Sequence, residues 1–310
     1  MAYRTDLVYS KSGHGKSRWI IEMAKRVYKE TGLITRVYLG DGGGETYYNS
    51  GLIEAGVLEL FQFNVLPNPF ETCRACAEGY WPDEKGQLVA TPDAVKAQIG
   101  QWAFEGLSVM GDYMMGDTEG GLAARAAKGE KIGQDSPINI TDGKAKVGGN
   151  PPTHYNVVQR ALEGIIERSR ALPGMVTWTA HERLVEGDKE FGNIIGPDCV
   201  GKAMMGKIGG KFGNTIHLDI AHKKEKKADP VTGKQIDVQV NEHRAYTSEH
   251  YDPDGITLVK YFANNRCPEV DGKNPMPHYL TPVDPVKFYQ ILATAKEAVL
   301  KGLKKPEQAA

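Results

Sequence analysis

Ser10-Lys11-Ser12-Gly13-His14-Gly15-Lys16-Ser17 is a run of small residues closed by a lysine and a serine. Residues of these types at this spacing suit one chemistry, the gripping of a polyphosphate. Gly13 and Gly15 let the backbone curl close to the ligand, so that peptide N–H groups face phosphate oxygens. Lys16 supplies charge to the β- and γ-phosphates, and the Ser17 hydroxyl reaches a magnesium ion. The phosphate-loop pattern is met at its second glycine, its lysine and its serine, whereas Ser10 stands where the pattern opens with glycine.

Three further groups are needed around such a loop. A carboxylate must serve the magnesium shell, and it is expected at the end of a buried strand beside the loop strand. Glu105, which ends Gln101-Trp102-Ala103-Phe104, is the preferred choice for a catalytic carboxylate holding the metal through water; Asp112, inside a following helix, is the alternative. A group must also position water against the γ-phosphate, for which Asp41 and Glu45, just after the second strand, are the candidates. A polar side chain at a third strand tip, His181, is placed to sense the γ-phosphate. Each acid has an ordinary alternative as a helix cap or a solvated turn residue.

These residues need strands that end near the loop and helices that carry it. Thr5-Asp6-Leu7-Val8-Tyr9 reads as a buried strand, and Lys16 to about Gly32 as a helix with Ile20, Ala24, Val27 and Tyr28 on its apolar face. The strand, loop and helix together aim backbone N–H groups and the positive helix end at an anion. Further strands are expected at Ile34–Leu39, Val57–Phe63, Gln101–Phe104 and Met175–Ala180, and then at Thr215–Ile220, Ile236–Val240 and Ile256–Phe262. Helices are expected at Phe70–Ala77, Ala94–Ile99, Ser108–Met115, His154–Ala171 and Val286–Leu303, with a turn at Tyr80-Trp81-Pro82. The alternation of strands and helices predicts an α/β fold with a mainly parallel sheet, helices on both faces and additional C-terminal β-strands. Residues 1–283 form the core in this reading, and 284–310 a terminal helix and tail.

Residues 116–153 lack sustained periodicity and read as a long functional or disordered insertion, with Lys128, Lys131, Lys144 and Lys146 available to follow a phosphate backbone. The basic run His222-Lys223-Lys224-Glu225-Lys226-Lys227 precedes Asp229-Pro230 and suggests an exposed hairpin-like excursion. A net charge of -1 supplies no global field toward nucleic acid or membrane, so any such contact must be local. No apolar run is long enough to span a bilayer, and the N-terminus has no signal-peptide pattern, so a cytoplasmic protein is expected. Cys73 and Cys76 have the spacing of half a zinc site with no matching second pair, and with Cys199 and Cys267 they read as reduced thiols.

Taken together, Tyr9 to Ser17, Phe104-Glu105-Gly106-Leu107-Ser108 and Thr177-Trp178-Thr179-Ala180-His181-Glu182 resemble the RecA-like AAA-type P-loop ATP-binding proteins of bacteriophages, which include single-strand annealing and recombination ATPases. Gly196-Pro197, Gly201-Lys202-Ala203, Phe212 and Asn264-Asn265-Arg266 are similar to that family's C-terminal half. Relatives tend to carry an Asp-Ser-Leu-Thr-like segment where this chain has Glu105 to Ser108. The resemblance implies a RecA-like P-loop NTPase core, ATP and Mg2+ as cofactors, and ATP hydrolysis. It also implies assembly on single-stranded DNA as a homo-oligomer, with ATP near a subunit interface where Arg266 would act as an arginine finger. The alternatives are a P-loop motor or assembly factor acting on protein or viral particles, and a nucleotide-gated structural protein with little turnover.

Overall fold

Leu7, Val8 and Tyr9 are fully buried, as a strand with neighbours on both edges and helices on both faces requires. The computed structural model describes residues 4–63, 69–116, 138–141, 144–147, 152–186, 193–200, 202–228, 234–251 and 259–303. Its first half runs β1 (Arg4–Ser10), α1 (Lys16–Thr31), β2 (Ile34–Leu39), α2 (Glu45–Tyr48), β3 (Leu58–Gln62), α3 (Pro69–Ala77), β4 (Tyr80–Pro82), β5 (Leu88–Ala90), α4 (Asp93–Lys96) and β6 (Ile99–Glu105). A helix over residues 107–116, α5, follows. The remainder is β7 (Ile138–Thr141), β8 (Lys144–Val147), α6 (Pro152–Ser169), β9 (Met175–Val185), β10 (Asn193–Pro197), α7 (Lys202–Ile208), β11 (Asn214–Ala228), β12 (Gln235–Tyr246), β13 (His250–Tyr251), β14 (Val259–Tyr261), β15 (Tyr279–Leu280) and α8 (Pro285–Leu303).

The chain is a mixed α/β protein with a mostly parallel central sheet. Six strands run parallel in the order β3-β2-β6-β9-β1-β11. Two antiparallel strands, β12 and β15, extend the β11 edge. Past His181, where its parallel pairing with β1 ends, β9 pairs antiparallel with β10, on which β14 and β13 build.

Strand alternation sorts side chains between the two faces. Leu7, Tyr9, Tyr38, Trp102, Phe104 and Trp178 join one apolar cluster with side chains of α3, α5, α6 and α7. On that face Tyr38, Phe104 and Trp178 stack across three strands, at 5.0 Å and 4.4 Å between centroids. Val8, Ile216 and Leu218 turn the other way, onto Trp19 of α1 and Phe288, Tyr289 and Leu292 of α8. The loop between β1 and α1 is thus anchored at both ends in the core.

The register at the bottom of the sheet depends on one glycine. Gly174, which precedes β9, has φ +91, and a Cβ there would lie 2.6 Å from the Gly100 carbonyl oxygen. Backbone on backbone cannot yield as a flexible side chain can. Gly174→Ala is therefore expected to lower unfolding stability by about 1–3 kcal/mol, read from the urea midpoint.

Several expected elements differ in the structure. Tyr80–Pro82 is a strand paired with Leu88–Ala90, not a turn. The expected Ala94–Ile99 helix is the single turn Asp93–Lys96, because Ile99 already pairs with Ile34 in the sheet. Within 116–153, Ile138–Thr141 and Lys144–Val147 form a small antiparallel hairpin, which puts Lys144 and Lys146 on a strand; Lys128 and Lys131 lie outside the described residues. The basic run 222–227 agrees with the expected exposed hairpin-like excursion: it lies on the exposed part of β11, which outruns β1 and pairs antiparallel with β12. Of the Ile256–Phe262 strand, Val259–Tyr261 is the described extended part. No helix among the described residues is long and apolar enough to cross a membrane.

Candidate phosphate-binding site

β1 ends at the buried Ser10, and the chain turns through exposed Lys11, Ser12 and Gly13 into α1. Gly13 (φ 80) and Gly15 (φ 99) occupy the left-handed region, which a Cβ would strain. Gly15 is the N-cap of α1, where no side chain caps the helix, and no acidic residue lies in the first turn. The first N–H groups of α1 thus face the loop with the positive end of the helix dipole behind them. A backbone of this shape fits a phosphate.

Lys16 is only 7% exposed. Its ammonium donates to the Ser10 carbonyl at 3.2 Å, the Lys11 carbonyl at 3.1 Å and the Ser10 hydroxyl at 3.4 Å. Burial pulls its pKa below the ordinary lysine value, against the pull of Glu105, Asp41 and Glu182 in the opposite direction. Ser10, the departure from the glycine pattern, is thereby accounted for: its hydroxyl donates to the Lys11 carbonyl at 2.8 Å and accepts from Lys16.

The Ser17 hydroxyl donates to Glu105 Oε1 at 2.6 Å, and Tyr47 of α2 donates its phenol proton to Glu105 Oε2. Glu105 ends β6 and is 3% exposed. The carboxylate was expected beside the loop strand, but β9 stands between β1 and β6. The contact still forms because Ser17 lies on α1, beyond the strand tips, and reaches across β9. Around Glu105 the backbone is pinned: its carbonyl accepts from Gly40 N at 2.9 Å, and Gly106 N donates to Thr179 Oγ1 at 3.2 Å. Burial raises the Glu105 pKa; the hydrogen bonds from Ser17 and Tyr47 lower it less than burial raises it. Asp112 is exposed on α5, and the titratable groups that act on it are Asp198, Arg183 and His181. Of the two candidate carboxylates, Glu105 is the one brought to Ser17.

Asp41 lies beyond β2, accepts from Gly43 N at 3.1 Å, and is close enough to act on Lys16, Glu105 and His181. Glu45 is exposed at the start of α2, whose contact with Glu105 comes instead from Tyr47. The expected strand end at Ala180 is overrun, since β9 runs on to Val185; His181 is half-buried within β9, where its parallel pairing with β1 ends, with its backbone N–H on Ser108 Oγ at 2.9 Å. Burial first, and Lys16 second, hold its pKa below the ordinary histidine value, so the imidazole is neutral at pH 7. Arg266 is exposed, and its backbone N–H bonds Asn214 Oδ1 at 3.0 Å. Asn214 is in register with Asp6, at the start of β1, so Arg266 sits toward the end of the strand away from this chain's own loop.

One participant stood in the Thr177-to-Glu182 motif without a role of its own. Glu182 follows His181 and points to the opposite side of the strand; its Oε1 lies 3.7 Å from Lys11 Nζ and its Oε2 3.1 Å from His217 Nε2. Burial pushes the Glu182 pKa up, but the His217 hydrogen bond and neighbouring charges outweigh it, so the carboxylate titrates below the ordinary range. His217 is fully buried, stacked on Tyr9 and Tyr261 at 4.8 Å each, with Nδ1 3.3 Å from His250 Nε2. Burial, with His217 adding to it, brings the His250 pKa down to about 3. Because a carboxylate only accepts, His217 keeps a proton on Nε2 and fixes Glu182 at the edge of the loop.

The loop, the ammonium, the hydroxyl and the carboxylates fit a magnesium-bound polyphosphate. Ser17 and Glu105 would hold the metal, and Lys16 with the α1 N–H groups the phosphates. The chain matches no family model and no curated protein.

Proposed function

We propose that this chain is a Mg-ATP-binding P-loop ATPase with a RecA-like core. The observation that carries the reading is the 2.6 Å contact of the Ser17 hydroxyl with a buried carboxylate, at the mouth of a loop whose lysine is itself buried. Little other than a metal-bound phosphate calls for that set of groups in that order. Bound magnesium would neutralise phosphate charge as the β–γ bond breaks. Lys16 leaves the Ser10 and Lys11 carbonyls for phosphate oxygens, and the N–H groups at the start of α1 take the remainder. Glu182 and Asp41 are the carboxylates in reach to orient water and accept its proton during attack on the γ-phosphorus, with ADP as leaving group. Neutral His181 donates a hydrogen bond to the γ-phosphate.

Glu182→Gln separates binding from chemistry. We expect turnover to fall about 100-fold while ATP affinity, measured calorimetrically, changes little. Unchanged turnover would leave Glu182 as an anchor for Lys11 only.

The partner reading rests on the resemblance to phage recombination ATPases, and names single-stranded DNA and a homo-oligomer in which Arg266 meets a neighbour's ATP. Phosphate release measured with magnesium, with and without single-stranded DNA, tests it. DNA-stimulated turnover that is lost in Lys16→Ala supports a role in recombination, replication or repair. ATP binding indifferent to DNA moves the reading to a protein-directed motor or assembly factor.

One observation favours a nucleotide-gated protein with little turnover. Without ligand, Lys16 is already satisfied by loop carbonyls and Glu105 by two hydroxyls. Tyr47→Phe removes one of these locks. On that second reading the variant turns over faster than wild type; on the first it does not.

A further inference from the structure

Behind Glu182 lies a stack of rings contributed by five strands. His217 of β11 is fully buried and stacks on Tyr9 of β1 and Tyr261 of β14, at 4.8 Å from each. His250 of β13 is 5% exposed and stacks on Tyr246 of β12 at 3.5 Å and on Tyr261 at 4.6 Å. The 3.3 Å between His217 Nδ1 and His250 Nε2 holds one proton, since two bare ring nitrogens do not bond. Glu182, His217 and His250 thus form a single hydrogen-bonded row.

The carboxylate at the head of that row is tied by one oxygen only. Oε2 accepts from His217 Nε2 at 3.1 Å, whereas Oε1, 3.7 Å from the exposed Lys11 ammonium, accepts no hydrogen bond among the described residues. Asp41, by contrast, has Oδ1 on the Gly43 N–H in the turn after β2. Packing alone does not call for imidazoles in the stack. Phenylalanine fills the same space and stacks as well, with no polar atoms whose removal from water must be offset. What imidazole adds is direction: His250 orients the His217 ring, and that ring orients one oxygen of Glu182.

We infer that His217 and His250 are positioning residues for Glu182, which they hold with its free oxygen presented to the water that attacks the γ-phosphate. The inference rests on the ATPase reading of the loop and deepens it by choosing Glu182 over Asp41 as the proton acceptor. The water's proton goes to Oε1, its oxygen bonds the γ-phosphorus, the bond to ADP breaks, and Glu182 then releases the proton to solvent. His217 keeps its own proton throughout.

A double-substitution cycle on phosphate release by the full chain, with ATP affinity read calorimetrically, tests this. His217→Phe keeps a ring in the stack and removes the bond to Glu182. We expect turnover to fall about 10- to 100-fold, as displacement of a reacting group does, with ATP affinity unchanged. In the Glu182→Gln background the same substitution should cost less than about twofold, because the group it positions is no longer a base. His250→Phe should follow the same pattern with a smaller loss. His217→Gln, whose amide still donates to Glu182, should recover most of the turnover lost in His217→Phe. A structural role gives a different result: the same loss with and without Glu182, tracked by the urea midpoint and not recovered by glutamine. That result, or full turnover in His217→Phe, overturns the inference. If His217→Phe does not fold, His250→Phe in the two backgrounds decides on the same terms. Turnover that is lost in Lys16→Ala but unchanged in Glu182→Gln overturns the positioning role and leaves the ATPase reading standing. Absence of turnover by the wild-type protein with Mg-ATP removes both.

Discussion

Lys16→Ala is expected to abolish ATP binding, or to reduce turnover by about 100- to 1,000-fold as loss of a key transition-state donor does, without unfolding the protein. The structural contacts of the ammonium are confined to the loop: two carbonyls and the Ser10 hydroxyl, all within residues 10 and 11. No strand or helix elsewhere depends on it. Burial also lowers the lysine pKa, so the folded chain holds this cation at a disadvantage. Replacing it with alanine removes both the disadvantage and three local bonds, and the unfolding midpoint should change by no more than about 1 kcal/mol in stability. Lys16→Met keeps the aliphatic stem and checks the same point with less loss of packing. A folded variant with normal nucleotide affinity and turnover ends the assignment of residues 10–17. A variant that fails to fold in both forms makes Lys16 a structural residue.

The difference between what sequence reveals here and what it hides follows distance along the chain. The β1–loop–α1 unit was legible because every constraint on it is local: the apolar strand, the two glycines and the apolar face of α1 lie within about one βα unit. The strand end bearing Glu105 was legible for the same reason, whereas β9 runs past His181 to Val185 because it pairs on with β10. The order of those strands was not. That β9 separates β1 from β6 is decided by packing across the whole sheet, and β6 and the Met175–Ala180 part of β9 look alike because both are buried on both faces. Tyr47 escaped notice because α2 is a single turn whose buried residue reads as an ordinary aromatic. Glu182 was part of the Thr177-to-Glu182 motif, but its pairing was not legible because its partner His217 is 35 residues away. The exposed, hairpin-like character of the basic run in β11 was legible because its charge and the Asp229-Pro230 that follows are local signals, and antiparallel pairing with β12 keeps it extended.

Glu105→Gln is expected to keep ATP binding, to slow hydrolysis by about 100-fold, and to make the protein no less stable at pH 7. The last expectation follows from the sign of the pKa shift. Burial raises the Glu105 pKa in the folded chain, so between the unfolded and folded values the folded state binds more protons. Stability attributable to this group is therefore present at low pH and is lost as pH rises through the folded pKa. Above its folded pKa the ionised carboxylate is a burden on the fold that glutamine, uncharged and still able to bond Ser17 and Tyr47, does not impose. The urea midpoint of Glu105→Gln should equal or exceed that of wild type at pH 7, and the gap should narrow toward acid pH. The same raised pKa should appear in kcat/KM as an acid limb lying above the ordinary carboxylate range, and that limb should vanish in the variant. Asp112→Asn should alter neither quantity. If Asp112→Asn alone slows hydrolysis, Glu105 is not the metal-shell carboxylate. If Glu105→Gln lowers the midpoint instead, its bonds to Ser17 and Tyr47 hold the strand tips together, and burial of the charge matters less than those bonds.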